Sequence, residues 1–215
     1  MFDKNGVMIQ GHIKIFDPVT GQILQDKSNA IHYENMSEAL ALGASNKGYG
    51  YITEMHFGNG GTTVDPTGVI TYLPTNTNVQ NADLYSPQYS KIIDNNNAAN
   101  TDPARNNITI LHTPGLVYTD ILVSCLLDYG EPNISSPGNL LGANQAAFDS
   151  TTNNNSGFVF DELGLRGRSI DGTDGLTSTG LLLTHVVFMP VQKSLNRLIQ
   201  IDYTVRIQSL TGLTG

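Results

Sequence analysis

The stretch that decides the fold is Ile199-Gln-Ile-Asp-Tyr-Thr-Val-Arg-Ile-Gln208, near the carboxyl end of this 215-residue chain. Apolar and polar side chains alternate along it with a period of two, so the apolar set lies on one face and the polar set on the other. Such a strand needs a sheet that buries its apolar face. The stretch therefore predicts a half-buried strand within a larger β structure.

Further strand-like runs, separated by Gly, Pro and Asn, occupy most of the chain. They cover residues 7–16 and 22–25 as a hairpin, then 52–57, 69–73, 91–94, 108–112, 119–128, 158–165 and 181–188. One short amphipathic helix is predicted after Ser28 and Asn29, either of which could cap it. Its apolar face consists of Met36, Ala39, Leu40 and Gly43. This pattern indicates a mainly β fold, an antiparallel, jelly-roll-like β-sandwich with one helix.

A single domain over residues 1–215 is predicted, because no linker-like stretch divides the chain. Two connections are long, 74–106 and 129–156, and loops of this length are usually functional or disordered. Two interpretations stay open: mobile surface loops, or arms that contact a neighbouring subunit. The second rests on the apolar and aromatic residues within them, Leu84, Tyr85, Tyr89, Ile92, Leu140, Leu141 and Phe148.

Charge and composition exclude several classes of protein. The net charge is −8 and no cluster of Lys or Arg occurs, which argues against a nucleic-acid binder. Only 14% of residues are charged, against about 25% in an average protein. Neutral polar surfaces cost less to desolvate than charged ones, so the composition favours a multi-subunit setting. Neither a signal peptide nor a membrane span is evident, and we expect folding in a cytoplasm.

The best candidate for a phosphate cradle is the glycine-rich run Gly58-Asn-Gly-Gly-Thr-Thr63. It lacks the lysine of a P-loop, and a strand follows it, whereas a phosphate-binding loop opens a helix. A turn between two strands is therefore the favoured interpretation. We expect no cofactor at this run.

Catalytic and metal-binding residues are not indicated elsewhere. Asp161 and Glu162 are the best available catalytic candidates, but neighbouring strand residues point to opposite faces. The histidines never fall at zinc-ligand spacing, and 171–175 lacks the terminal Glu of an EF-hand loop. Cys125 lies in an apolar run and is expected to be buried. The residues thus predict no enzyme, no cofactor and no metal.

Several segments together resemble a module of tailed-bacteriophage virion proteins. These segments are residues 11–21, 55–63, 120–132, 158–165, 181–188, 190–193 and 200–206. Their motifs are turn and strand patterns: a Gly130-Glu131 turn after a strand, the strand Asp161-Glu-Leu-Gly-Leu165, a hairpin, a turn bearing Lys193 and a final strand with Tyr203-Thr204. The resemblance spans about residues 7–208 and carries no catalytic signature.

The resemblance implies a non-enzymatic β-sandwich that assembles symmetrically on a virion after synthesis in the host cytoplasm. It favours a neck, tail or baseplate component whose partners are copies of itself and other virion proteins, with no nucleic acid and no membrane. Two alternatives stay open. One is a capsid decoration protein; the other is a carbohydrate-binding receptor module, which needs an exposed aromatic platform. Its tyrosines would be Tyr49, Tyr51, Tyr85, Tyr89 and Tyr118.

Overall fold

The computed structural model describes residues 6–47, 50–132, 138, 140, 158–167 and 180–210. These residues form one helix, α1 (Tyr33–Ala44), and twelve strands. The strands are β1 (Gly6–Phe16), β2 (Ile23–Ile31), β3 (Ile52–Gly58), β4 (Thr62–Val64), β5 (Ile70–Tyr72), β6 (Pro87–Ile92), β7 (Asn107–His112), β8 (Tyr118–Leu127), β9 (Phe158–Gly167), β10 (Leu181–Leu182), β11 (Thr184–Lys193) and β12 (Ile199–Leu210). The predicted mainly β, sandwich-like fold with one short helix is confirmed.

Strand β12 has the alternation that its sequence predicts. Every second residue from 199 to 205 is buried, and the residues between them are half-buried. Ile201 lies opposite Ile15 of β1 and Cys125 of β8 in unbroken antiparallel ladders. Cys125 is fully buried, as predicted, and burial raises the pKa of its thiol to about 12.

A single antiparallel sheet forms the sandwich by curling onto itself. Its strand order is β6-β3-β9-β11-β2-β1-β12-β8-β7, with β10 attached to β9. One core joins residues of β1, β8 and β12 to residues of β3, β9 and β11, so the two halves of the sheet face each other. β2 connects the halves, because it pairs with β1 over most of its length and with β11 only at Ala30 and Ile31.

Helix α1 exists as predicted, but its cap and its buried face differ from the prediction. Ser28 and Asn29 belong to β2, and His32 caps the helix by accepting the N–H of Asn35 on Nδ1. The buried residues of α1 are Asn35, Met36, Ala39 and Leu42, whereas Leu40 and Gly43 are exposed. Asn35 explains the rotation, because its side-chain N–H groups bond the carbonyls of Gln80 and Leu182. No helix in the described part of the chain is long and apolar enough to cross a membrane.

The predicted connection 74–106 is not one loop, since it contains β6, which pairs with β3. Residues 74–86, hereafter the cover segment, lie on the face of β3, β9 and β11 that points away from the core. Ala82 and Leu84 of this segment are buried against Leu182 in a small cluster of their own. Of the predicted loop 129–156, the structure describes residues 129–132, 138 and 140. Gly138 and Leu140 hydrogen-bond the backbone of β6 at Ser90 and Gln88.

Replacing Ile201 by Asp is expected to prevent folding. Ile201 is 0% exposed, and an unpaired carboxylate at a core position costs more than about 4 kcal/mol. Gln208→Asp is the matched control, because Gln208 is half-buried and lies on the other face of β12. Soluble yield and far-ultraviolet circular dichroism compare the two variants. Equal yields of folded protein would contradict the assignment of faces.

Candidate functional site

The densest group of chemically versatile side chains lies between the sheet and the cover segment. Along β3, β9 and β11, alternate residues point away from the main core, and several of them are titratable. We call this group the polar layer; its members are Glu54, His56, Glu162, Arg166 and His185. All five are at least 96% buried, since their exposed fractions are 4% or less. Buried titratable groups of this kind need partners, and their partners define what the layer does.

Glu162 is the centre of the polar layer and accepts four hydrogen bonds. Its Oε1 accepts the backbone N–H of Gly60 at 3.1 Å and of Ser86 at 2.9 Å. Its Oε2 accepts the backbone N–H of Tyr85 at 2.9 Å and Nε2 of His185 at 3.0 Å. Burial alone would raise the pKa of Glu162, but these four hydrogen bonds outweigh burial and hold the pKa below its ordinary value. The carboxylate is therefore ionised and fully paired at neutral pH.

His185 has no ring nitrogen left for a substrate. Its Nδ1 accepts the backbone N–H of Asn76 at 2.7 Å, which places the proton of the neutral ring on Nε2, facing Glu162. The side chain is 0% exposed. A general base must reach the proton that it removes, directly or through one water. His185 instead links β11 to the cover segment and to Glu162.

Asp161 binds the same glycine-rich loop from the neighbouring position. Its Oδ1 accepts the N–H of Gly61 at 2.9 Å, and its Oδ2 accepts the N–H of Thr62 at 2.9 Å and the hydroxyl of Thr62. The expectation that Asp161 and Glu162 diverge is wrong, because the β9–β11 ladder is irregular at this point. The bonded backbone groups of residues 60–62 are the ones that a phosphate would use. The glycine-rich run is thus a turn between strands, as predicted, and it wraps around two carboxylates of the same chain.

The close approach of this turn to Glu162 explains two of its glycines. A Cβ atom on Gly58 would lie 2.3 Å from Oε1 of Glu162. A Cβ atom on Gly60 would lie 2.8 Å from the Cβ of Ser86. Both distances are shorter than atoms tolerate, so any larger residue would push the turn away from the carboxylate.

A second buried pair extends the polar layer along β3. His56 and Glu54 lie two residues apart on the same face, and Nε2 of His56 is 2.8 Å from Oε2 of Glu54. Burial lowers the pKa of His56 more strongly than the hydrogen bond to Glu54 raises it. Arg166 of β9 lies beside this pair and contacts Asp83 of the cover segment at 2.6 Å. This salt bridge is a further link between the sheet and its cover.

Lys193, at the end of β11, is a buried amine outside the polar layer. Its Nζ donates to the carbonyl oxygens of Asp128 and Ser194, each at 2.9 Å. Burial lowers the pKa of Lys193 to about 8. A lysine with a lowered pKa can serve as a nucleophile, but this side chain is 0% exposed. Its contacts join the end of β11 to the residue that follows β8.

The structure places the predicted subunit-contact residues in different environments. Leu84 and Tyr89 are 4% and 2% exposed, covered by the chain itself. Tyr85 is 41% exposed, and its hydroxyl donates to the carbonyl of Pro74 at 2.6 Å. Ile92 and Leu140 are half-buried. Leu141 and Phe148 lie outside the described residues, and subunit contact by this group stays a prediction.

The polar layer was missed in the sequence because its parts are far apart in the chain. A local signal existed at Glu54-Met-His56, where two polar residues with a period of two interrupt an otherwise apolar strand. Across the described residues, no three His, Cys, Asp or Glu side chains come together in a geometry that could hold a metal ion. The layer as built connects backbone segments through hydrogen bonds.

No family model, curated protein or solved structure matches this chain. Its function is therefore inferred from the geometry of the described residues and from the sequence patterns above.

Replacing Glu162 by Gln is expected to destabilise the fold by about 3 kcal/mol or more. The amide nitrogen of Gln would take the place of one carboxylate oxygen, and each oxygen now accepts two donors: Gly60 and Ser86 on Oε1, Tyr85 and His185 on Oε2. Two buried donors would therefore lose their acceptor. Glu34→Gln is the matched control, because Glu34 is exposed in the first turn of α1. Urea unfolding at neutral pH measures both variants. A change below about 1 kcal/mol for Glu162→Gln would contradict the central role of this carboxylate.

Acid should remove the advantage of the wild type over Glu162→Gln. Because the folded-state pKa of Glu162 lies below its ordinary value of 4.5, its contribution to stability is present above pH 4.5 and is lost as the pH falls through the folded value. The difference in unfolding free energy between the two proteins is expected to be constant around neutral pH and to shrink on acidification. Urea unfolding over a series of pH values measures it. A difference that stays constant into acid would show that the pKa of Glu162 is not lowered.

Proposed function

We propose that this chain is a non-enzymatic structural protein of a tailed-phage virion, a neck, tail or baseplate component that assembles as a symmetric oligomer. The observation that carries the proposal is that the buried carboxylate of Glu162 bonds groups of its own chain. The carboxylate with the most partners in the described structure accepts three backbone N–H groups and one histidine, and it is 0% exposed. These hydrogen bonds hold the glycine-rich turn, the cover segment and β11 together.

The other catalytic candidates are used in the same way. Asp161 is 3% exposed, and its oxygens bind the glycine-rich turn. Both nitrogens of His185 are bonded, and Lys193 is enclosed with two carbonyl oxygens. A catalytic group has to contact a substrate. These three residues, like Glu162, contact backbone of the same chain, which supports a structural role over an enzymatic one.

The surface composition supports assembly with other subunits. With 14% charged residues, much of the polar surface consists of Asn, Thr, Ser and Gly. Several large apolar side chains are also at least half exposed, among them Ile110 at 60% and Val117 at 50%. Exposed apolar groups beside neutral polar ones are typical of surfaces that a partner covers.

The resemblance to tailed-phage virion proteins supports the biological setting. Two of its motifs involve residues with a structural role. The glycine-rich turn holds Asp161 and Glu162, and Lys193 contacts backbone carbonyls, although it lies at the end of strand β11 and not in the predicted turn. The preferred site on the particle is the neck, tail or baseplate.

The experiment that tests this role is immunogold electron microscopy of purified particles of the virus that encodes the chain. An antibody against the chain is expected to label the neck, tail or baseplate at a constant number of copies per particle, counted by quantitative mass spectrometry. Label spread over the head would favour the decoration protein instead. Absence of the chain from purified particles would contradict the proposal.

A further inference from the structure

The two outer strands of the curled sheet are protected very differently. At one end, β6 begins with Pro87, and its backbone exchanges hydrogen bonds with Gly138 and Leu140 of the same chain. At the other end, β7 pairs with β8 alone, and no other described segment hydrogen-bonds its outer edge. Proteins usually block such an edge with Pro, Lys, a bulge or a covering loop. Within the described residues, β7 has none of these protections.

Strand β7 is also well suited to pairing. Its sequence Asn107-Ile-Thr-Ile-Leu-His112 contains no Pro, Gly, Lys, Arg, Asp or Glu, and its ladder with β8 has no register shift. Ile110 and Leu111 point to opposite faces and are 60% and 49% exposed. Leu116 and Val117, in the connection from β7 to β8, are also exposed, at 45% and 50%. Short, uncharged, β-branched strands of this kind pair readily with other strands.

The hydrogen bonds of β8 identify which groups of β7 face outward. The N–H of Leu126 donates to the side chain of Asn106 at 2.8 Å, so Leu126 faces the β7 side of its strand. Backbone groups alternate sides along an antiparallel strand. The even-numbered residues of β8 therefore face β7. Their partners in the ladder are Asn107, Thr109 and Leu111, so the backbone groups of these three residues bond β8. The N–H and C=O groups of residues 108, 110 and 112 point to the open edge.

An open cleft with one apolar side lies beneath the same edge. Its volume is about 810 Å³, and Glu54 and the loop 94–98 lie at its polar side. Its apolar walls include Met36 and Leu40 of α1, Ile108 and Ile110 of β7, and Val205 and Ile207 of β12. A strand added next to β7 would place alternate side chains on the cleft side. The edge and the cleft thus form one acceptor surface.

We propose that β7 pairs antiparallel with β7 of a second copy of this chain, which joins the two sheets across a twofold axis. This inference deepens the proposed function, on which it rests for its biological setting, by naming the contact between identical subunits. A twofold axis normal to the sheet keeps the same face of both strands on the same side. Ile108 and Ile110 of each copy then extend the apolar wall of the other copy's cleft.

Two properties of β7 favour a second copy over an unrelated strand. Each chain carries a net charge of −8, so two copies approach with least repulsion where the surface is uncharged, as along β7. The strand is also self-complementary. The outward N–H and C=O groups of one copy must face the outward groups of the other copy. The twofold axis therefore passes through Thr109 or through Ile110. Both registers overlap five residues of β7, but centring on Thr109 places Ile108 opposite Ile110 twice.

Light scattering of three proteins tests the pairing. The wild type is expected to have twice the 23.2 kDa mass of one chain. Ile110→Lys is expected to be a folded monomer, because it places two ammonium groups in the paired edge. Val64→Lys is the matched control, since Val64 is 61% exposed on β4 of the separate two-stranded sheet. It should remain a dimer, and circular dichroism verifies the fold of each protein.

A cross-link tests the register without replacing an apolar side chain. In the register centred on Thr109, the two Thr109 residues form a non-hydrogen-bonded pair with Cα atoms about 4.5 Å apart, which a disulfide can span. Thr109→Cys should therefore give a covalent dimer on mild oxidation, and Val64→Cys should not. Cys125 does not interfere, because it is fully buried.

The outcomes separate this inference from the proposed function. A wild-type monomer at about 100 μM, far above the Kd of a stable interface, would overturn β7 pairing. An oligomer that Ile110→Lys leaves intact would also overturn it, while the virion role would stand on the particle labelling. A dimer that Ile110→Lys dissociates and Thr109→Cys cross-links would support the pairing even if the chain were absent from particles.

Discussion

The buried carboxylate of Glu162 is the interaction on which the arrangement of the rest depends. Transferring an ionised carboxylate into a protein interior is costly unless hydrogen bonds replace its hydration. Here the replacement comes from three separate parts of the chain: the turn at Gly60, the cover segment at Tyr85 and Ser86, and β11 at His185. Each donor has to be present for the charge to be tolerated. The requirement therefore determines where the turn and the cover segment lie on the sheet.

This constraint gives the molecule two unequal sides. Around β3, β9 and β11, the Arg166–Asp83 salt bridge and backbone hydrogen bonds to His185 and Glu162 attach the cover segment to the sheet. Around β7, the described residues leave an apolar strand and a cleft open. Networks of satisfied buried polar groups favour one rigid arrangement, whereas open strand edges favour association. A well-connected body with an open strand edge suits the proposed role of a subunit in a larger assembly.

Local sequence patterns predicted the elements well where one physical effect dominates. The alternation in β12 placed its buried face correctly, and the apolar run around Cys125 predicted a buried thiol. The pattern was wrong for α1, because the polar Asn35 lies on the packed face and bonds backbone carbonyls. The sequence pattern also placed the start of β6 too late, at residue 91, whereas the strand begins at Pro87. Proline and polar residues at the edge of a sheet do not resemble a buried strand.

By itself, the sequence determined the strand-rich class, the single short helix, most strand positions and the buried face of the last strand. These follow from the period of apolar residues, which is a property of neighbouring positions. Only the tertiary structure decided that the glycine-rich turn encloses Asp161 and Glu162, and that residues 74–86 cover the sheet. It also decided that, among the described strands, β7 lies at an open edge. Glu162 and its partners Gly60 and Tyr85 are 102 and 77 residues apart in the chain. Contacts at that separation depend on how the sheet curls, and no local pattern of residues encodes them.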